Sequence, residues 1–245
     1  MPIILAPGVH PPHLTEGFCR DFQATWPLAV PRPPLWVVPP TVPPFSPCHH
    51  WRWLQEHIQQ VPLLDGPHPS APLGPSQDIA SPILGQGKLD LSQSLRPSPL
   101  GRGVGERGSL GTVPLVWIGF SAGVVGALGA AQGWQWRGGR VRGFYALDGW
   151  GMPLGGKFPI YRLSHDRFTH RTSLPLGAGR LNFYADPPVE HWDLWRSPAQ
   201  VWGWSIDRSS PTASPQRQTA AQFLVQRLVQ RLVQPIGLGI TDPQG

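Results

Sequence analysis

The sequence predicts an α/β protein with a small, mostly parallel sheet of five strands flanked by helices. Short apolar runs bounded by proline and glycine alternate with segments whose apolar residues recur every four positions. The 245 residues include 12 tryptophans and are 40% hydrophobic, which is enough apolar surface to build a core. Alternation of strands and helices is typical of parallel sheets, because each parallel strand needs a crossover connection to the next.

The first four predicted elements alternate strictly. Residues 2–6 (PIILA) form an apolar run that ends in Pro-Gly and predicts a buried strand. Residues 14–25 carry apolar side chains at 14, 18 and 22, which predicts a helix. Residues 35–38 (LWVV) predict a second strand between prolines, and residues 49–60 predict a second helix.

The second half of the chain continues this pattern less regularly. Residues 150–179 contain several glycines and prolines and predict a loop-rich stretch. The other predicted elements are strands at 115–119, 141–147 and 181–185, a helix at 122–132, and a helix start at 189–195.

Composition also predicts the domain organisation. Residues 62–111 are rich in Pro, Gly, Ser and Gln and lack aromatic residues, so we predict a disordered insertion within a domain spanning residues 1–207. Residues 208–245 predict a polar linker and an appended C-terminal helix. In that helix an LVQR repeat aligns Leu224, Leu228 and Leu232 along one side.

Charge and cysteine content limit the function classes. The net charge is +6, but the arginines are scattered, so we expect no nucleic-acid partner. Two cysteines without a CxxC spacing argue against a disulfide scaffold and a structural zinc site. The apolar N-terminus lacks a basic region before it, so we expect a cytoplasmic protein, and nothing in the sequence indicates an oligomeric state.

One uncharged segment leaves two interpretations. Residues 112–133 contain no charged side chain and are long enough to cross a membrane as a helix. Pro114 and five glycines argue against a uniform helix, so we expect no membrane span and favour a buried strand, a turn and a helix.

The turn in that segment carries the motif on which the functional prediction depends. Residues 119–123 (GFSAG) match G-x-S-x-G between a predicted strand and a predicted helix. A serine at such a turn is held in strained backbone geometry that exposes its hydroxyl, and the helix N-terminus favours an oxyanion beside it. The alternative interpretation is a tight turn in which Ser121 only caps the helix.

With this motif in its strand–turn–helix context, the chain resembles the α/β-hydrolase superfamily over residues 1–61 and 113–205. Residues 3–10 (IILAPGVH) look like the third strand of that family and the loop after it, so the chain would lack the first two strands. The resemblance implies that the backbone N–H of Val9 or His10 joins that of Ala122 in an oxyanion hole. The phrases at 146–154, 164–170 and 183–198 are similar to uncharacterised cyanobacterial proteins of this type, which indicate no substrate.

Residues for the family order of serine, acid and histidine are present. His191 follows the last predicted strand and is the expected base. The expected acid is Asp148, with Asp186 as the main alternative and Asp166 as a weaker one. We therefore predict a serine hydrolase that acts on an ester or thioester through an acyl-enzyme, with a non-catalytic binding protein of the same fold as the alternative.

The loop-rich stretch supplies candidate pocket residues. His165, Asp166 and His170 form an H-D-x-x-x-H pattern that could hold a metal ion, although its spacing matches no metal motif, and we expect no metal or other cofactor. With Trp150, these residues are predicted to line a pocket. The tryptophan-rich loops between 150 and 204 favour a small hydrophobic acyl substrate.

Overall fold

The described residues fold around one mixed sheet of eight strands in the order β2-β1-β3-β4-β5-β6-β7-β8. A computed structural model describes residues 1–59, 113–177, 179–210 and 212–233. The first six strands in this order pair in parallel, and the last two pairings are antiparallel. The α/β class is confirmed, whereas the expectation of a small, mostly parallel five-stranded sheet is corrected to a larger, mixed one.

The described strands are β1 (Ile3–Ala6), β2 (Leu35–Val37), β3 (Pro114–Phe120), β4 (Arg140–Leu147), β5 (Ile160–Ser164), β6 (Leu181–Ala185), β7 (Trp202–Asp207) and β8 (Gln216–Thr219). The described helices are α1 (Pro12–Thr25), α2 (Pro47–Ile58), α3 (Gly123–Trp136), α4 (Arg167–Ser173), α5 (His191–Arg196) and α6 (Ala220–Val233).

All five predicted strands are present, and the three additional strands have weak sequence signals. β5 lies in the predicted loop-rich stretch and carries Arg162 at its centre. That side chain is 1% exposed, and its guanidinium donates to the carbonyl oxygens of Gly149, Met152 and Gly177. A buried arginine satisfied by loop carbonyls interrupts the apolar pattern by which buried strands are recognised.

The sheet is buried on both faces. Helices α1, α5 and α6 pack on one face, whereas α3 packs on the other face with α2 behind it. β3 illustrates the result, since Val116, Trp117 and Ile118 are all fully buried. This burial explains the continuous apolar run that made β3 recognisable in the sequence.

The C-terminal segment belongs to this sheet domain. Residues 216–219, predicted as part of a polar linker, form β8 and pair with β7. α6 buries Phe223, Leu224 and Leu228 completely within the main core cluster. The segment predicted as an appendage after residue 207 therefore contributes a strand and a packed helix to the core.

Two predictions concern the segments around the uncharged run. Residues 112–133 divide into β3, a turn and α3 from residue 114 onward, and none of the described helices is both long and apolar enough to cross a membrane. The predicted insertion at 62–111 lies outside the described residues.

Candidate functional site

Ser121 lies in the turn between β3 and α3, at the carboxyl edge of the parallel strands. Its φ is +52°, a left-handed conformation that is unusual for a residue other than glycine. Its backbone N–H donates to the carbonyl of Leu147 at 2.9 Å, which ties the turn to the end of β4. The helix cap residue is Ala122, which makes no side-chain cap hydrogen bond, and no other described residue hydrogen-bonds the Ser121 hydroxyl. The structure thus shows a strained turn in which the Ser121 hydroxyl has no hydrogen-bond partner among the described residues.

Two glycines allow the turn to approach the loop after β1. A Cβ built on Gly123 would lie 2.2 Å from the carbonyl oxygen of Ala6, and one on Gly8 would lie 2.9 Å from Cβ of Ser121. Any larger residue at either position would push the loop away from Ser121. The glycines therefore hold the backbone after β1 against the serine.

Asp148 follows β4 and is the centre of the polar contacts. It also has a left-handed backbone, with φ +47°, and its side chain is 1% exposed. Its Oδ2 accepts a hydrogen bond from Nδ1 of His191 at 3.0 Å and another from Nδ1 of His165 at 2.9 Å. One buried carboxylate is therefore shared by two histidines.

His191 is the first residue of α5, and its side chain is 33% exposed. Its ring stacks on that of Phe120, the residue directly before Ser121, with the ring centroids 4.7 Å apart. With Nδ1 bound to Asp148, Nε2 is the nitrogen left to act on a neighbouring group. Within the described chain no hydrogen bond joins His191 to Ser121, although both line the same cavity.

His165 follows β5 and contacts Asp148 through both its backbone and its ring. Its backbone N–H donates to Oδ1 of Asp148 at 2.9 Å, in addition to the ring contact with Oδ2. Its Nε2 lies 3.3 Å from Oδ2 of Asp166. The hydrogen bond with Asp148 raises the pKa of His165 against the opposing effect of burial, and both aspartates add to the rise. The environment therefore favours a positive charge on this ring.

These groups open on a cavity of about 510 Å³. Ser121, Asp148, His165 and His191 line it, and the remaining lining is largely apolar. Two of its apolar residues are strongly exposed, with Trp150 at 67% and Phe168 at 71%. The apolar side chains that face the cavity are Ala122, Val125, Trp150, Met152 and Phe168.

Of the three predicted oxyanion residues, one lines this cavity and two line a neighbouring groove. Ala122 lines the cavity at the start of α3. Val9 and His10 instead line a separate groove of about 380 Å³ that runs beside α1 and the segment after β2. The His10 ring packs against Phe120 and Trp192, and burial lowers its pKa. Gly8 of this loop lies against Ser121, since a Cβ built on it would be 2.9 Å from Cβ of Ser121.

Several predicted site residues lie elsewhere. Asp186 is exposed and accepts a hydrogen bond from the indole of Trp204 at 2.8 Å, so it does not contact His191. His170 is 3% exposed and stacks on Tyr184, where burial is the main cause that lowers its pKa to about 4. Asp166 caps α4 by accepting from the N–H of Thr169.

The predicted H-D-x-x-x-H group is therefore not brought together. His170 turns inward from α4 while His165 points to Asp148, so only His165 and Trp150 of the four predicted pocket residues line the cavity. Among the described ranges, the one group of histidine, cysteine or carboxylate side chains spaced for a metal ion is Asp148, His165 and His191. The sequence predicted Asp148 and His191 as acid and base of one site and His165 only as a pocket residue.

Two further residues contribute to the site in ways that the sequence did not predict. Phe120 supports the His191 ring, and Gly8 admits the loop after β1 to the turn. Both stand next to residues already singled out. Neither residue type carries a chemical signal of its own, so only the packing identifies them.

Comparison with known proteins gives no relative for this chain: no family model, no curated protein and no solved structure matches it.

Proposed function

We propose that this protein is a serine hydrolase of the α/β-hydrolase type that cleaves an ester or thioester through an acyl-enzyme. One observation carries the proposal: a serine in a strained strand-to-helix turn shares a cavity with a histidine whose Nδ1 is bound to a buried aspartate. Nucleophile, base and orienting acid are the three roles that such chemistry requires.

The proposed steps use these residues alone. Nε2 of His191 takes the proton of Ser121 as Oγ attacks the carbonyl carbon, and Asp148 stabilises the resulting imidazolium through Nδ1–H. The imidazolium then gives its proton to the departing alcohol or thiol, which leaves an acyl group on Ser121. Water, deprotonated by His191, attacks this ester and releases the acid and the free serine.

The turn also supplies a candidate oxyanion hole. The N–H groups of Val124, Val125 and Gly126 already donate to carbonyl oxygens, whereas those of Ala122 and Gly123 have no acceptor among the described residues. The positive end of the α3 dipole favours a developing negative charge beside these two groups. A second donor is proposed from the loop after β1, which Gly8 brings against Ser121. Val9 and His10 remain the candidates in that loop.

The cavity walls favour an acyl group with apolar character. Trp150, Met152 and Phe168 present hydrophobic surface beside the serine, and the cavity is of a size that suits a small ligand. We infer that the acyl chain lies against these side chains while the carbonyl faces Ser121.

The arrangement of the strands supports the proposed family. β1 pairs directly with β3, so the loop after β1 lies beside the nucleophile turn, where the resemblance requires its oxyanion donor. The acid follows β4 and the base follows β6, which gives the order serine, acid, histidine along the chain.

Labelling with a fluorophosphonate probe tests the proposal. We expect the full chain to form a covalent adduct at Ser121, detected by mass spectrometry of its peptides. Ser121→Ala should abolish the adduct, whereas Ser209→Ala, which removes an exposed serine far along the chain, should leave it intact. A chain with a native circular dichroism spectrum and no Ser121 adduct would contradict the enzyme and favour the non-catalytic binding protein.

A further inference from the structure

We propose that Asp148, His165 and His191 bind a divalent transition-metal ion such as Zn²⁺ and that the bound ion inhibits the hydrolase. Donor atoms of the three side chains lie within 4.8 Å of one another. Both imidazoles direct Nδ1 at the same carboxylate oxygen, at 2.9 and 3.0 Å. The metal site rests on this geometry, and the inhibition rests on the proposed function.

The local charge balance calls for a cation. Asp148 is almost completely buried, and among the described residues its ion pairs are only with these two histidines. Asp166 adds a second carboxylate on the far side of His165. A buried carboxylate needs a positive partner, which is either a proton on an imidazole or a metal ion. Imidazole nitrogen with carboxylate oxygen is a donor set that zinc uses in proteins.

The surroundings resemble those of metal ligands rather than of free histidines. A metal-binding imidazole usually donates its second N–H to a carboxylate, which fixes the tautomer and the ring orientation. Nε2 of His165 has a carboxylate at ion-pair distance, 3.3 Å from Oδ2 of Asp166, and Oδ1 of Asp166 is itself held at 2.5 Å by the N–H of Thr169. The backbone N–H of His165 similarly fixes Oδ1 of Asp148 and leaves Oδ2 facing both rings.

The site is reachable from the cavity, and occupation would disable the base. His165 and His191 are 24% and 33% exposed, so an ion can approach from the side of Ser121. Coordination through Nδ1 moves the proton of a neutral His191 ring to Nε2. Nε2 then carries a hydrogen and cannot accept the proton of Ser121. Removal of the ion restores the acceptor, so the inhibition is reversible.

Calorimetric titration of the chelator-treated full chain with ZnCl₂ tests the site. We expect one ion per chain, with no comparable binding of MgCl₂, because magnesium prefers oxygen ligands. Asp166→Asn keeps all three donors and should weaken zinc binding about 10- to 100-fold, and His165→Ala should weaken it further. His49→Gln removes an exposed histidine of α2 and should leave the affinity unchanged.

Two results of the titration would contradict the proposed metal site. Unchanged zinc affinity in both Asp166→Asn and His165→Ala, with native circular dichroism, would overturn the site. So would a loss in His49→Gln, because it would place the ion at α2.

Fluorophosphonate labelling with and without ZnCl₂ tests the inhibition separately. We expect zinc to slow labelling of Ser121 in the unaltered chain, a chelator to reverse the effect, and Asp166→Asn to need more zinc for the same slowing. Equal labelling with and without zinc, in a chain that binds zinc at these residues, would overturn the inhibition. If Ser121 is never labelled, the proposed function fails, whereas the calorimetric result still decides the metal site.

Discussion

Two strands of the sheet end in an aspartate at the same edge, and the two carboxylates have opposite surroundings. Asp148, after β4, is buried and accepts hydrogen bonds from His165 and His191. Asp186, after β6, is exposed and accepts from the indole of Trp204. Asp186 stands five positions from His191 in the sequence and Asp148 stands 43 positions away, yet only Asp148 reaches the ring.

The direction of the neighbouring strand explains this difference. β4 lies beside β5 in parallel, so β5 ends at the same edge and delivers His165 to Asp148. β6 has β5 on one side in parallel and β7 on the other side antiparallel, and the start of β7 delivers Trp204 to Asp186. The comparison teaches that the side chains delivered by neighbouring strands, rather than proximity in the sequence, decide which acid meets the histidines.

Replacing each aspartate by asparagine gives the largest expected contrast. Asp148→Asn should slow fluorophosphonate labelling of Ser121 about 10³- to 10⁴-fold, because asparagine cannot stabilise the imidazolium of His191. Asp186→Asn should change the labelling rate by less than about twofold, as for other exposed substitutions. Labelling rates of both variants and of the unaltered chain, measured at pH 7.5, serve as the readout.

Thermal unfolding of both variants provides the control for that contrast. We expect both variants to unfold in one cooperative transition, which shows that a slower labelling rate is not caused by loss of the fold. A loss in Asp186→Asn as large as that in Asp148→Asn would reverse the assignment of the acid.

A second contrast concerns the histidines near the two strand ends. His165 faces two aspartates, whereas His170 is buried against Tyr184 of β6 and its pKa is lowered to about 4, chiefly by burial and further by nearby arginines. As the pH falls, His170 is protonated near pH 6.5 in the unfolded chain but only near pH 4 in the folded chain. The contribution of His170 to the free energy of unfolding is fully present above pH 6.5. It should fall by about 2 to 3 kcal/mol between pH 7 and pH 4.5.

Urea unfolding at the two pH values measures this effect. His170→Phe keeps an aromatic ring on Tyr184 and should remove that part of the pH dependence, whereas His49→Gln should retain it. An identical pH dependence in the unaltered chain and His170→Phe would show that His170 is not the responsible group.

The smallest expected effect isolates what Asp186 does. Trp204→Phe removes the indole N–H and should lower the free energy of unfolding by about 0.5 to 1 kcal/mol, since one partly solvated hydrogen bond is lost. Asp186→Ala and Trp204→Phe should be non-additive in a double-mutant cycle, because each removes the same hydrogen bond. Additive losses would mean that the contact contributes nothing to stability.

The central parallel strands β1, β3 and β4 were predictable because most of their residues are buried on both faces. β1 and β3 are continuous apolar runs and β4 ends in one, and Ser121 lies in the turn directly after β3. β5 was missed because its buried Arg162 is satisfied by loop carbonyls that only the folded chain assembles. β8 was missed because Gln216 and Arg217 are exposed at the edge of the sheet.

The site was predictable residue by residue but not as an arrangement. The positions of Ser121, Asp148 and His191 after successive strands indicated a common edge, and the structure brings Asp148 to His191. The sequence could not show that His165 shares the same carboxylate, because that contact depends on the spacing of two strand ends. Nor could it show that His170 turns inward, since α4 buries one side of the H-D-x-x-x-H pattern.

The outer strands of the sheet bear on how the protein behaves at high concentration. Among the described residues the two edges are β2, three residues long between Pro33–Pro34 and Pro39–Pro40, and the short, polar β8. Because proline has no amide hydrogen, a strand from another molecule could form few backbone hydrogen bonds along β2 and its flanks. The apolar strands inside are thus shielded from fibril-like stacking, and the proline pairs are the gatekeepers whose loss would invite aggregation.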